Sequence, residues 1–269
     1  MIDRVLTTIR DGIADVRLSR ADKMNALDEA MFDALIDTGE KLKADKSVRA
    51  VVVSGEGRAF CAGLDMSSFG RIAESSAPNG KPLINRLEKR THGTSNRPQY
   101  ASMVWRDIPV PVIAAVHGAA LGGGLQIALG ADMRYVAPGT RLSIMEIKWG
   151  IVPDMGGMAL MRTLMRDDII RELTYTGRIF SAEEALTYGF ATRVVADPYA
   201  AAHETAREIA DKSPVAIRGD KRLLNALADS DEATILLAES IEQDKVLGGS
   251  HQKEAIMANL ENRRPVFKD

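Results

Sequence analysis

Phe60-Cys61-Ala62-Gly63-Leu64-Asp65-Met66 and His117-Gly118-Ala119-Ala120-Leu121-Gly122-Gly123-Gly124-Leu125-Gln126 are two glycine turns, each following an apolar run of strand type. Ala50-Val51-Val52-Val53-Ser54 leads toward the first turn, and the run from Val110 to Val116 leads into the second. After the second turn the chain reads as a helix to about Leu129, and Asp132 to Ala137 returns as a strand. Strand, turn, helix and strand in that order indicate an α/β core with parallel strands. A strand ending in a glycine turn can present a bare backbone N–H. Two such groups aimed at one point stabilise charge developing on a carbonyl oxygen, each by about 3 kcal/mol.

Upstream, Val5 to Arg10 and Ile13 to Leu18 flank Asp11-Gly12, the pairing expected of a two-residue hairpin. Asp28 is placed to cap a helix running to about Ala44, with Met31, Phe32, Leu35, Ile36 and Leu42 on one stripe. Residues 67–104 carry Ser, Gly, Pro and scattered charges with weak periodicity, and read as a variable, mobile insertion. Beyond Gly157 the pattern is helical. Ser181-Ala182-Glu183-Glu184 is a capping box, and the segments 198–212, 214–228, 231–247 and 250–260 are amphipathic, with Pro198 and Pro214 in first-turn positions. The expected division is an α/β core over 1–196 and a helical region over 197–269 whose apolar faces suit subunit contact.

The 269 residues carry 35 Lys and Arg against 37 Asp and Glu, a net charge of −2, so no global basic field draws in nucleic acid or anionic lipid. The single cysteine excludes an intramolecular disulfide and a cysteine-based zinc site. No apolar run reaches the roughly 18 residues a membrane span needs, and a cytoplasmic protein acting on a small molecule is expected. Neither glycine turn carries the Lys-Ser or Lys-Thr of a P-loop, no dinucleotide fingerprint is present, and Ser54 lacks a nucleophile elbow. Cys61 reads as a small buried side chain and His117, at the end of a buried strand, as a hydrogen-bonded structural residue, and no spacing of His, Asp and Glu suggests a metal site. The basic run Lys41, Lys43, Lys46 and Arg49 is diluted by Asp37, Glu40 and Asp45 and reads as a solvated helix face.

Taken together, the two turns resemble those of the enoyl-CoA hydratase/isomerase, or crotonase, superfamily. The resemblance extends through Ala21-Asp22-Lys23-Met24-Asn25-Ala26-Leu27, Glu146 with Val152-Pro153-Asp154-Met155-Gly156-Gly157, Gly177-Arg178, and Arg264-Pro265-Val266-Phe267. It implies a spiral of ββα units, a C-terminal helical region that assembles trimers or hexamers, and a coenzyme A thioester as substrate, with no separate cofactor. It maps the oxyanion donors to the N–H groups of Leu64 and Gly123. It places the coenzyme near Lys23, Met24, Ala26, Ala62, Asp65, Met66 and Ser67, with Lys23 meeting phosphate.

In hydratases of the superfamily two glutamates work on one water, at the positions of Gln126 and Glu146. The amide of Gln126 can hold water or substrate but cannot exchange a proton at neutral pH. Asp154, eight residues after Glu146, resembles instead the dienoyl-CoA isomerase branch. The expectation is double-bond migration in an enoyl- or dienoyl-CoA, with Glu146 and Asp154 as the proton-transfer pair and their roles as acid and base open. The alternatives are hydration by Glu146 with Gln126 or Asp154, and, from another class, RNA binding or acyl-CoA binding without turnover.

Overall fold

A computed structural model of the chain describes residues 3–67 and 87–268. A hairpin opens it. Strands β1 (Val5–Arg10) and β2 (Ile13–Leu18) are joined by Asp11 and Gly12, both at positive φ of 52° and 76°, as a turn that follows the right-handed strand twist requires. β2 then pairs in parallel with β3 (Ala50–Gly55), β3 with β4 (Val112–Val116), β4 with β6 (Met133–Val136) and β6 with β8 (Arg193–Val194). Only the β1–β2 pair of this six-stranded sheet is antiparallel.

A second, narrower ladder rises from the ends of these strands. Leu27 bridges Leu64, Cys61 bridges Ala120, β5 (Ala119–Leu121) pairs with β7 (Arg141–Ser143), and Leu142 bridges Phe180. Strands β2, β3, β4 and β6 therefore each lead into a short one. After Leu27 comes helix α1 (Glu29–Ala44), and after β5 comes helix α3 (Gly123–Gly130). That repeat of long strand, short strand and helix is the ββα spiral that the family resemblance implied.

The strands read as continuous apolar runs because both sheet faces are covered. On one face Ala14, Val16, Val51, Val53, Val112 and Ala114 pack under α1, α3 and helix α2 (Arg97–Asp107). On the other, Ile13, Ala50, Val52, Ile113 and Ala115 meet Ala202 and Ala206 of helix α7 (Pro198–Ala210). The alternation along each strand is the period of two set by the pleat. Asp28 caps α1 by accepting the Met31 N–H at 2.9 Å.

Two boundaries differ from expectation. The irregular insertion read over 67–104 falls in part on residues 68–86, outside the described residues, and its last residues belong to α2. That helix starts with a capping box between Asn96 and Gln99 and a first-turn proline at Pro98, so the proline begins an element there. The C-terminal region is helical as expected, through α4 (Gly157–Met161), α5 (Asp167–Thr176), α6 (Ala182–Tyr188), α7, α8 (Pro214–Ala226), α9 (Glu232–Val246) and α10 (Ser250–Leu260). However, α7 is built into the sheet, and Lys221 of α8 reaches back to Val110 O and the Asp132 carboxylate, each at 2.8 Å. No helix among the described residues is long and apolar enough to cross a membrane.

Candidate active site

Both glycine turns reach one cavity. It has a volume of about 610 Å³ and is lined by Ala62, Gly63 and Leu64 from the first turn and Leu121, Gly122, Gly123 and Gln126 from the second. Glu146, Trp149 and Asp154 come from the following loop, and Phe32 and Pro98 from α1 and α2. The turns approach closely because two residues lack side chains. A methyl on Gly63, which sits at φ 85°, would lie 2.5 Å from Leu121 O and 3.6 Å from Gly123 N. A methyl on Gly124 would run into Cys61 O.

The bridge to Leu27 determines where the Leu64 amide points. Leu27 N–H donates to Gly63 O at 2.8 Å and Asp65 N–H donates to Leu27 O at 2.9 Å. The N–H of Leu64 itself, between them, therefore faces the opposite side, that of Leu121 to Gly123. Gly123 opens α3, so its N–H is one of the first-turn donors that no helical carbonyl can take, at the positive end of the helix dipole. Neither N–H has an acceptor among the described residues.

Glu146 starts a short 3-10 turn (Glu146–Trp149) with its side chain buried. Gln126 Nε2 donates to Glu146 Oε1 at 2.6 Å, while Glu146 Oε2 is buried with no protein partner among the described residues. Burial pushes the Glu146 carboxyl above the ordinary range, opposed by its own backbone N–H and the Gln126 amide and reinforced by the charge of Asp154. Burial also raises Asp154, against its own backbone N–H. Among the described residues none lining the cavity is cationic, so only these hydrogen bonds, and no positive charge, oppose that rise. Two carboxyl groups that hold protons more tightly than usual, beside two unpaired amides, can take a proton from one carbon and return it to another.

Residues 8–269 match the enoyl-CoA hydratase/isomerase family. The chain belongs to that family. It is 33% identical to the mitochondrial Delta(3,5)-Delta(2,4)-dienoyl-CoA isomerase of mouse over 80% of this chain, and spans 66% of the mouse protein's length. It is 28% identical to the mitochondrial methylglutaconyl-CoA hydratase of mouse over 96% of this chain and 80% of the relative. An enoyl-CoA hydratase of Bacillus anthracis superposes with a TM-score of 0.85 at 26% identity, covering 98% of this chain and 99% of that one. Family membership thus spans both isomerisation and hydration.

The other expected site residues divide into two groups. Ala62 and Met66 line the cavity, Met66 being exposed. Lys23, Met24 and Ala26 do not line it: Met24 O accepts the N–H of the lining residue Ala62 at 2.9 Å, Ala26 is buried and Lys23 is exposed. The Asp65 carboxylate is taken up by protein, accepting from Ser67 Oγ and N at 2.7 and 2.8 Å and from Arg20 at 2.5 Å. Ser67 borders a shallow hollow with Arg20, Asp28 and Glu29. Cys61 is fully buried with its thiol pushed up to about 12 by desolvation, and His117 Nε2 lies 2.9 Å from Gly57 O, so both are structural. Among the described residues no group of three His, Cys, Asp or Glu could hold a metal ion.

Sequence reasoning passed over Arg20 and Asn25. Asn25 Nδ2 donates to Glu56 O, Ala59 O and Phe60 O, and its Oδ1 accepts from Arg20 N. This pair ties the 20–28 loop to the first glycine turn. A positive φ of 56° at Asn25 is the kind of feature an Asn after a helical turn signals. Phe32, Met145, Trp149, Ile151, Val152 and Met155, which make most of the cavity apolar, were not expected as lining residues. A larger cavity of about 950 Å³ lies on the α7 side of the sheet, lined by Arg10, Asp15, His203 and Arg207 among others. It lacks the glycine-turn residues, Glu146 and Asp154, and the candidate site is therefore the smaller cavity.

Proposed function

We propose that the protein moves a double bond along the acyl chain of an enoyl- or dienoyl-CoA thioester. The thioester oxygen is held by the N–H groups of Leu64 and Gly123, so that removal of a proton from the α-carbon gives an enolate with its charge on that oxygen. In a 3,5-dienoyl substrate the electron pair released at C2 spreads to C6. Protonation at C6 then yields the 2,4-dienoyl product, with no net change in protons. One carboxyl of the Glu146 and Asp154 pair, ionised, takes the first proton; the other, protonated, supplies the second. Lys23, exposed next to Met24, meets coenzyme phosphate. The exposed Leu236, Leu237 and Ile241 of α9 and Leu260 of α10 form the subunit contact of a trimer, alone or as half of a hexamer.

The observation that carries this reading is the presence in one apolar cavity of two carboxyl groups with raised proton affinity, together with an amide at position 126. An amide supplies no second base for a water. The test is to assay the purified protein with 2-enoyl, 3-enoyl and 3,5-dienoyl thioesters. The reading predicts isomerisation as the fastest reaction and its loss in Asp154→Asn. Hydration of the 2-enoyl thioester as the fastest reaction, undiminished in Asp154→Asn, would end the proposal.

A further inference from the structure

The amide of Gln126 lies almost wholly buried between the second glycine turn and the loop that carries both carboxyl groups. Its Oε1 accepts two backbone N–H groups, from Met155 and Gly157, each at 2.9 Å. Its Nε2 donates to Glu146 Oε1 at 2.6 Å. These surroundings admit one orientation of the amide. Turned over, the NH₂ group would face two donors and the carbonyl a carboxylate, losing all three bonds. Both lone pairs of Oε1 are occupied by the N–H groups, so Gln126 offers a water no acceptor. Its amide is fixed to the 155–157 backbone at one end and grips a single oxygen of Glu146 at the other.

We infer that Gln126 is a positioning residue for Glu146: it fixes the carboxyl through Oε1 and leaves Oε2 as the atom that exchanges a proton with substrate. The inference rests on the proton-transfer role proposed above for Glu146. Sequence alone suggested a residue that touches water or substrate; the hydrogen bonds direct its action through another side chain. The effect on charge agrees with the geometry, since the donated bond opposes the rise that burial imposes on Glu146. Among the described residues the charged group acting on Glu146 is Asp154. Gly157 belongs to the same device, because a methyl there would lie 2.7 Å from Gln126 Oε1.

The test pairs two substitutions with two readouts. Gln126→Leu removes the donor, and kcat should fall roughly tenfold or more with KM little changed, while the acid limb of the pH profile moves upward. Gly157→Ala displaces the same amide without altering its chemistry and should move both quantities in the same direction, which keeps the test available if Gln126→Leu does not fold. Titration of the Glu146 carboxyl by carbon-13 NMR, assigned by its disappearance in Glu146→Gln, reads the upward move without substrate. An unmoved titration and unchanged kcat in both variants would overturn the inference. So would a gain of hydration at the expense of isomerisation in Gln126→Glu, since that places residue 126 on a water. A wild-type protein that moves no double bond, yet shows the titration shift in both variants, would end the proposed reaction and leave the positioning role standing.

Discussion

Asp65 and Glu146 are both buried carboxyl groups beside the same pair of glycine turns, and their surroundings drive them in opposite directions. Asp65 accepts from the side chain and backbone of Ser67, then from Arg20, and these bonds hold it down to about 2. Glu146 has one side-chain partner and faces an apolar wall, and burial drives it up. The lesson is that burial alone does not mark a reactive acid; the number of donors does. A carboxylate surrounded by donors is stabilised as the anion and serves the fold. One left with a bare oxygen resists ionisation, which suits it to exchanging a proton with substrate. Asp154, raised by burial with no charged partner among its causes, falls on the same side as Glu146.

The comparison breaks most visibly in turnover. Glu146→Gln should lower kcat roughly a thousandfold and Asp154→Asn roughly a hundredfold, with thioester affinity retained, as steady-state assay and product-binding measurements would read. Asp65→Asn should leave kcat within a few-fold. If Asp65→Asn abolished turnover without unfolding the protein, the division between the two carboxyl groups would fail.

Stability sharpens the contrast, because the two groups should respond with opposite signs. A depressed carboxyl contributes stability above its unfolded value, near 3.8, that is lost as pH falls toward about 2. Asp65→Asn should therefore cost on the order of 2 kcal/mol at neutral pH, and less in acid, by denaturant titration. Glu146→Gln removes a buried charge that is costly at neutral pH. It should raise Tm by roughly 2–4 °C, and the gain should vanish at low pH, where the wild-type carboxyl is neutral.

A smaller effect concerns the pH profile. Because burial raises both reactive carboxyl groups, the acid limb of kcat/KM should lie above the ordinary value of whichever acts as base, 4.5 for Glu146 and 3.8 for Asp154. A limb at or below 3.8 would show that the base is not raised in the working enzyme.

What could be read from the sequence follows from the range of each interaction. The Asp11-Gly12 hairpin, the Asp28 cap and the Ser181 capping box are local, and each appears where the residues indicated. Helix α2 was concealed by Pro98, which reads as a breaker when its position after Asn96 is not weighed. The place of α7 on the sheet was hidden because it is buried through Ala202 and Ala206, and alanines give little hydrophobic contrast. At the site, Glu146 and Asp154 were found through their family register, and both line the cavity. The fixation of Gln126 was out of reach, because its carbonyl binds backbone N–H groups 29 and 31 residues away that no side-chain pattern reveals. The grip of Arg20 on Asp65, across 45 residues, was hidden in the same way.

The central claim is that two carboxyl groups relay a proton along an acyl chain whose thioester oxygen is held by the Leu64 and Gly123 amides. Its most direct test is to run the reaction on a 3,5-dienoyl thioester in deuterium oxide and follow the product by NMR. The account predicts a 2,4-dienoyl product bearing deuterium at C6, formed by the wild-type protein and lost in both Glu146→Gln and Asp154→Asn. A 3-hydroxyacyl thioester as the main product of the 2-enoyl substrate, with no deuterium entering C6 of the dienoyl one, would contradict it.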